Sequence, residues 1–538
     1  MLELFLKSQK MWADLFLNGL ESGLKIGGAT AERIKAVGYY WNGVSQYIND
    51  FMTPFWISLN SFQQKELKKF PRKSPEQNLS DYYELLQFNI QIASKGLESS
   101  LKGMREHHST EIREATDAWF ATFFGGEDKK DIVEYIKQNA DHLRTITYDY
   151  PKAIIDIGTE FGFHFDDGGY IKTAETDRFE LYQILPLDKG VKVRKDGKPV
   201  IIINPYVLGA NILAFLPGER KSYVHAFANQ GIPTYIRIMR DIDTTPAVQT
   251  LTGEDDAKDT RYFCELLKAK HQKMVTLHGY CQGGFVAVTA LLSGELDGLV
   301  DAFITCVSPM DGARSEDLVE YLEHIPPRFR DLGYATKTLP NGNQVVDGKV
   351  MSWVYKLKSM EKEAPIFTFY RDLKMLQRIN EKGVGISKTA AALNHWLIYD
   401  RTDLPVSITQ MSFDSYTIPV SKDGTLPVKL FGRKLNFKRI AEKGIKWLIC
   451  YGERDDLVDK ESALAPMDYI DVEVTPFPKG HGAIATSWSN PESEFALHKR
   501  FGNNYRGPVR FQLDLEEELK RSDKSRAKTK KTAKGKPR

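Results

Sequence analysis

"TLHGYCQGGFVAV", residues 276–288, is the stretch that decides the fold. A short apolar run enters a Gly-x-Cys-x-Gly-Gly turn, and a second apolar run leaves it. A strand that bends sharply into a helix strains the backbone at the residue on the bend, so its flanking positions must be small. Gly279 and Gly283 hold those positions around Cys281, and Gly284 lets the helix approach the sheet closely. The pattern is a nucleophile elbow with sulfur where a hydroxyl is usual.

Working outward, short β-rich runs alternate with helical stretches. Upstream lie "FELYQILPL" (179–187), "PVIII" ending at Ile203 and "IPTYIRIM" ending at Met239; the elbow strand runs to Leu277. Downstream lie "DAFITCVS" ending at Ser308, "IKWLICYG" ending at Gly452 and "DVEVTPF" ending at Phe477. Buried strands alternating with helices imply an α/β fold with a mostly parallel sheet and right-handed crossovers. "KDGK" (195–198) reads as an Asp-Gly hairpin turn. Residues 310–435 are too long for a loop, and their helical stretches suggest a cap over the sheet's C-terminal edge.

The partners of the elbow follow in the expected order of nucleophile, acid, histidine. "CYGERDDLVD" places Asp455 and Asp456 just after one late strand, and "PFPKGHGAIA" exposes His481 in a Gly-His-Gly turn after the next. His481 would take the thiol proton, and one of the two aspartates would fix its tautomer. An oxyanion hole would combine the backbone N–H of Gln282 with one from "NPYVLGAN" after Ile203. Pro205 has no N–H, so Tyr206 or Val207 is the candidate. Cys306 and Cys450 sit inside apolar strands and read as inert core residues.

The remaining chain sets the boundaries. Its 538 residues are 42% apolar and 27% charged, ordinary for a globular protein, and contain no internal repeat. The expected divisions are a helical region (1–177), a first core part (178–309), the cap (310–435), a second core part (436–510) and a charged helix with a disordered basic tail (511–538). No apolar run reaches the roughly 18–20 residues of a membrane span. The start reads as an amphipathic helix, without the pattern of an export signal. Four scattered cysteines without a CxxC pair suit a reducing, cytoplasmic setting. No Cys/His cluster has zinc spacing, so no metal is expected, and His107 and His108 read as a solvated helix surface.

The aromatic-rich residues 32–56 read either as a helix face packed on the core or as a sticky surface for an apolar particle. Residues 520–538 carry a net +9 against +3 for the whole chain, which leaves the body at −6. The tail reads equally as a solubilising extension or as an anchor to anionic surfaces or DNA.

Together these residues resemble the polyhydroxyalkanoate synthases, enzymes of the α/β-hydrolase fold that polymerise 3-hydroxyacyl-CoA into storage polyester. "GYCQGG" is similar to their cysteine lipase-like box and implies Cys281 as nucleophile. "YGERDDLVD" resembles their acid motif in the register that selects Asp455, and "GHGAIA" resembles their Gly-His motif and implies His481 as base. "YDRTDLP" (399–405) resembles a D-x-T-x-L-P stretch of their cap. The likeness covers about residues 180–490. It departs where the family has His after the acid (here Asp456), a following Trp (here Lys460) and Pro-Pro-Trp (here Asn204-Pro205-Tyr206).

The resemblance implies a CoA thioester as substrate with no resident cofactor, and a polyester granule surface as partner. It also implies either a homodimer or a second synthase subunit. Dienelactone hydrolases share the Gly-x-Cys-x-Gly-Gly elbow with Asp and His, but they are much smaller and lack so long an insertion. A cysteine hydrolase or thioesterase is therefore the rival reading. A third is a non-catalytic granule- or nucleoid-associated protein built on the amphipathic start and the basic tail.

Overall fold

The computed structural model describes residues 29–69, 73–124, 132–207, 209–316, 332–351, 369, 371–373, 375, 385–455, 457–482, 488, 493–494 and 507–513. The amphipathic start (1–20), Asp456, the basic tail (520–538) and most of the charged helix expected after 511 lie outside these residues. The chain divides into two compact units. One comprises Met1–Thr53, Gln91–Ala153 and Met360–Ser387, and the other Pro54–Ile90, Ile154–Ser359 and Lys388–Arg538.

The described residues of the first unit are mainly helical. Two long helices, α1 (Ala29–Lys69) and α2 (Pro75–Phe124), contribute to it, and α3 (Ile132–Arg144) buries Ile132, Ile136, Ala140 and Leu143 along one face. Glu111 of α2 is buried because Tyr135 and Asn139 of α3 donate to its carboxylate at 2.5 and 2.6 Å. The aromatic-rich segment is two-faced within this unit. Val44 is buried and Tyr47 donates to Asp372 Oδ2 at 2.8 Å, whereas Ile34 and Trp41 face solvent. His107 and His108 are half-buried, against the expectation of a solvated surface. Burial, together with the neighbouring His108, pushes His107 down to about 3.

The second unit is built on an eight-stranded sheet. Its strands are β1 (Tyr170–Glu175), β2 (Phe179–Ile184), β3 (Val200–Ile203), β4 (Thr234–Met239), β5 (Val275–Tyr280), β6 (Val300–Cys306), β12 (Lys446–Gly452) and β13 (Glu473–Phe477). Their order is β1-β2-β4-β3-β5-β6-β12-β13. β2 pairs antiparallel with β1 and β4, and all later neighbours pair parallel. That order is the α/β-hydrolase fold. β3 and β5 are buried along their whole length, as strands covered on both faces must be. Each fully buried Ile or Val contributes roughly 1.5–3 kcal/mol, so the continuous apolar run "VIII" fixes β3 near the centre of the sheet.

Two local expectations fail. "KDGK" forms a turn but closes no hairpin, because β4 inserts between β2 and β3 and pairs with both. β1 lies inside the region expected to be helical. It is an edge strand with a mostly half-buried or exposed pattern, so its β character comes from pairing with β2 and not from its own hydrophobicity.

Between β6 and β12 lies the long insertion. Its described part holds α6 (Lys388–Tyr399), which exposes Leu397, Ile398 and Tyr399, and α7 (Val406–Thr417), whose exposed positions Ser407, Gln410 and Thr417 are polar. It is not helical throughout. A small antiparallel sheet joins β7 (Thr336–Thr338), β8 (Gln344–Val346) and β9 (Leu404–Pro405), and a hairpin pairs β10 (Thr425–Leu430) with β11 (Arg433–Asn436). The insertion leaves the sheet intact because β6 and β12 are direct neighbours, with Cys306 opposite Cys450.

Candidate active site

The elbow begins where β5 ends. Cys281 has φ 50° and ψ −126°, a conformation that L residues rarely adopt and that stores roughly 1–3 kcal/mol. Hydrogen bonds hold it on both sides: its N–H donates to the Cys306 carbonyl at 2.8 Å, and its carbonyl accepts from Gly284 at 2.9 Å. The second bond opens α5 (Gln282–Ser293), which is buried throughout. The glycines are obligatory for space. A Cβ on Gly279 would come within 2.2 Å of the Gly284 Cα, one on Gly283 within 2.3 Å of the Ile203 carbonyl, and one on Gly284 within 2.1 Å of Ser308 Oγ.

Asp455 follows β12 and is held from two sides. Its Oδ1 accepts from the N–H groups of Leu457 at 3.0 Å and Val458 at 2.9 Å. Its Oδ2 accepts from His481 Nδ1 at 2.8 Å, and the carboxylate side chain is fully buried. Burial opposes its charge, but His481 and the two N–H groups outweigh that and hold the carboxyl below the usual range. His481 lies in the turn after β13, where Tyr280, next to the cysteine, donates to its carbonyl at 3.2 Å.

The ionised carboxylate on Nδ1 fixes the tautomer, which leaves Nε2 as the ring's free nitrogen. Nε2 is buried and completes no well-formed hydrogen bond. Burial disfavours the imidazolium, yet Asp455 and then Cys281 raise the His481 pKa well above the ordinary value, Cys281 by both charge and hydrogen bonding. Cys281 is therefore close enough to act on the ring, although no well-formed hydrogen bond joins it to Nε2, as is common in unliganded sites.

Thus Cys281, Asp455 and His481 come together. The other cysteines are placed differently. All four are unpaired and buried, and burial pushes Cys264 up to about 12 and Cys450 well above its normal value. His278, on the elbow strand itself, is no rival base. It packs on the Tyr223 hydroxyl at 2.7 Å, and burial pushes it down to about 3.

The expected oxyanion donors lie at the elbow but are not all free. Gln282 opens α5, so its N–H has no acceptor within the helix. The N–H groups of Tyr206 and Val207 instead donate to the Gln282 side-chain oxygen at 3.0 and 3.1 Å. Tyr206 is anchored by a buried network that sequence reasoning missed. Its hydroxyl meets Asp256 and Arg237, Arg237 bonds Asp256 at 2.9 Å, and the guanidinium stacks 4.1 Å over Phe179. Asp400, in the "YDRTDLP" stretch, accepts from Asn211 at 3.2 Å beside the same loop, and burial pushes its carboxyl up to about 6.

Among the described residues no group of three or more His, Cys, Asp or Glu is placed to hold a metal ion. A cleft of about 710 Å³ opens between the start of α4 (Gly253–His271), α7 and β10, and none of Cys281, Asp455 or His481 lines it.

No family model and no curated protein matches this chain. Solved structures do. A bacterial membrane phospholipase A described as a virulence factor aligns at 11% identity and a TM-score of 0.32, over 67% of this chain and 93% of its own. An esterase from Rhodococcus sp. aligns at 11% and 0.31, over 59% and 94%. A meta-cleavage product hydrolase from Pseudomonas fluorescens aligns at 12% and 0.29, over 57% and 88%. At this level the likeness says nothing of substrate, and the fold assignment rests on the strand order itself.

Proposed function

We propose that the protein is an acyltransferase that works through a cysteine acyl-enzyme, with Cys281 as nucleophile, His481 as base and acid, and Asp455 as the group that orients the ring. The observation that carries this reading is the strained Cys281 beside an imidazole whose far side is held by Asp455 at 2.8 Å.

Sulfur suits transfer. Attack of a thiolate on a thioester makes another thioester of nearly equal energy, so the acyl group stays activated for a downhill step to an alcohol. The Cys281 sulfur forms a bond to the thioester carbonyl carbon, and the tetrahedral oxyanion collapses with cleavage of the C–S bond to CoA. His481 delivers the proton to the departing thiolate. An acceptor hydroxyl then loses its proton to His481 Nε2 and attacks the acyl-cysteine, which releases the Cys281 thiolate.

The motif resemblance supports 3-hydroxyacyl-CoA as the donor and a hydroxyacyl chain end as the acceptor, hence synthesis of polyhydroxyalkanoate. The long insertion supports the same reading, since a cap that limits water protects an activated intermediate. On this proposal the enzyme works in the cytoplasm at a polyester granule surface, as a homodimer or with a partner synthase subunit. Among the described residues no helix is long and apolar enough to cross a membrane.

The test is purified protein with 3-hydroxybutyryl-CoA. CoA release with insoluble polyester is expected. CoA release with free hydroxyacid alone would replace polymerisation by cysteine-dependent hydrolysis.

A further inference from the structure

The Gln282 side chain does more than follow its backbone. Its Oε1 accepts from the N–H groups of both Tyr206 and Val207. Those two groups can only donate, which fixes the amide with its oxygen toward the loop. Nε2 is left to donate to Ser412 Oγ of α7 at 2.8 Å, and that hydroxyl continues to the Ile408 carbonyl at 3.2 Å. Gln282 and Ser412 are both buried, so water is poorly placed to substitute for these bonds. A carbonyl oxygen of the protein therefore holds the loop donors that a substrate carbonyl at Cys281 would need.

We infer that the Gln282 side chain is a positioning residue that stands in for the substrate carbonyl at the Tyr206 and Val207 N–H groups, and that Ser412 sets how readily it yields. The inference deepens the cysteine acyl-enzyme reading and rests on it. A thioester carbonyl in the ground state is no better an acceptor than the glutamine amide, so it gains nothing by displacing it. A developing oxyanion is a much stronger acceptor and does gain. The exchange therefore favours the transition state over bound substrate, which is the differential binding that raises rate. Because Gln282 must give up its bond to α7 when it rotates away, oxyanion stabilisation and the seating of residues 406–417 become one equilibrium.

Two reactions of Cys281 separate this role from general damage to the site. Acylation by p-nitrophenyl acetate builds an oxyanion, whereas alkylation by iodoacetamide displaces iodide at a saturated carbon and builds none. In Gln282→Met the ratio of acylation to alkylation rates is expected to rise about tenfold, less than the roughly 10²–10³-fold worth of one oxyanion donor. Ser412→Ala is expected to raise the ratio as well, and Gln282→Glu to lower it, because a carboxylate grips both N–H groups by charge-assisted bonds.

A ratio that falls in Gln282→Met, or stays at the wild-type value in both Gln282→Met and Ser412→Ala, overturns the inference. If the methionine variant does not fold, Ser412→Ala and Gln282→Glu carry the test alone. Wild-type protein that resists both reagents at Cys281 would remove the nucleophile itself, a result distinct from an unchanged ratio.

Discussion

Asp455 Oδ2 and His481 Nδ1 stand 2.8 Å apart across two loops that leave neighbouring parallel strands. Gly452 makes the approach possible, since a Cβ there would lie 2.8 Å from the Lys479 carbonyl and 3.0 Å from the Asp455 Cβ. The contact orients the ring and favours its charged form.

Asp455→Asn keeps the shape and removes the charge. Burial already opposes the charge on His481, and losing the carboxylate removes the strongest of the influences that raise its pKa, which therefore drops. Turnover should fall by about 10²–10⁴-fold. The pH profile of Cys281 alkylation should also move, because the imidazolium partner is lost at lower pH than in the wild type. Rates measured from pH 5 to 10 check both.

The same pair makes stability depend on pH. His481 is raised in the folded state, so its contribution is full below about pH 6.5 and is lost as pH rises through the elevated folded value. Asp455 is lowered, so its contribution is full above about pH 4 and is lost as pH falls through the depressed value. The stability gap between wild type and His481→Ala should therefore be widest between about pH 4 and 6.5 and narrow toward alkaline pH. Urea unfolding at pH 5, 7 and 9 measures it.

Glycine replacements should split by location. Gly284→Ala drives a methyl into Ser308 and is expected to cost more than about 3 kcal/mol or to abolish soluble expression. Gly38→Ala lies in exposed α1 with nothing within 4 Å and should stabilise by about 0.5–1 kcal/mol. Melting temperatures of the two variants decide it.

Arg237→Met breaks a fully buried ion pair and leaves Asp256 uncompensated, at a cost of about 3–5 kcal/mol. Because Tyr206 shares the network, the acylation rate of Cys281 should fall in protein that still folds. Denaturation and acylation are measured on the same sample.

Asp400→Asn should stabilise the protein above about pH 6. Burial raises the carboxyl from 3.8 to about 6, so its ionisation opposes folding with a penalty absent below about pH 4 and complete above about 6. Asparagine keeps an oxygen for Asn211 and removes the charge, which is worth roughly 1–3 kcal/mol at pH 8. Equal stability of both proteins at pH 8 would contradict this.

The elbow, the acid and the histidine were legible because each is a local pattern at a strand end, and strand order places them together. Other features depend on tertiary pairing. The turn at 195–198 looks like a hairpin until β4, more than thirty residues later, inserts beside it. β1 has too little apolar surface to announce itself. The tie from Gln282 to Ser412 spans 130 residues and the Tyr280 hydroxyl acts across 201, and no spacing rule links either pair. In the sequence Gln282 reads only as a backbone donor, whereas its side-chain amide has partners of its own.

The insertion between β6 and β12 also orders events during synthesis. The ribosome completes the bend at Cys281 long before His481 exists, and at about 5–20 residues per second the interval is roughly 10–40 s. Throughout that time the nascent thiol has no imidazole beside it. On the proposed mechanism its chemistry is withheld from the crowded surroundings of translation until the turn after β13 has emerged.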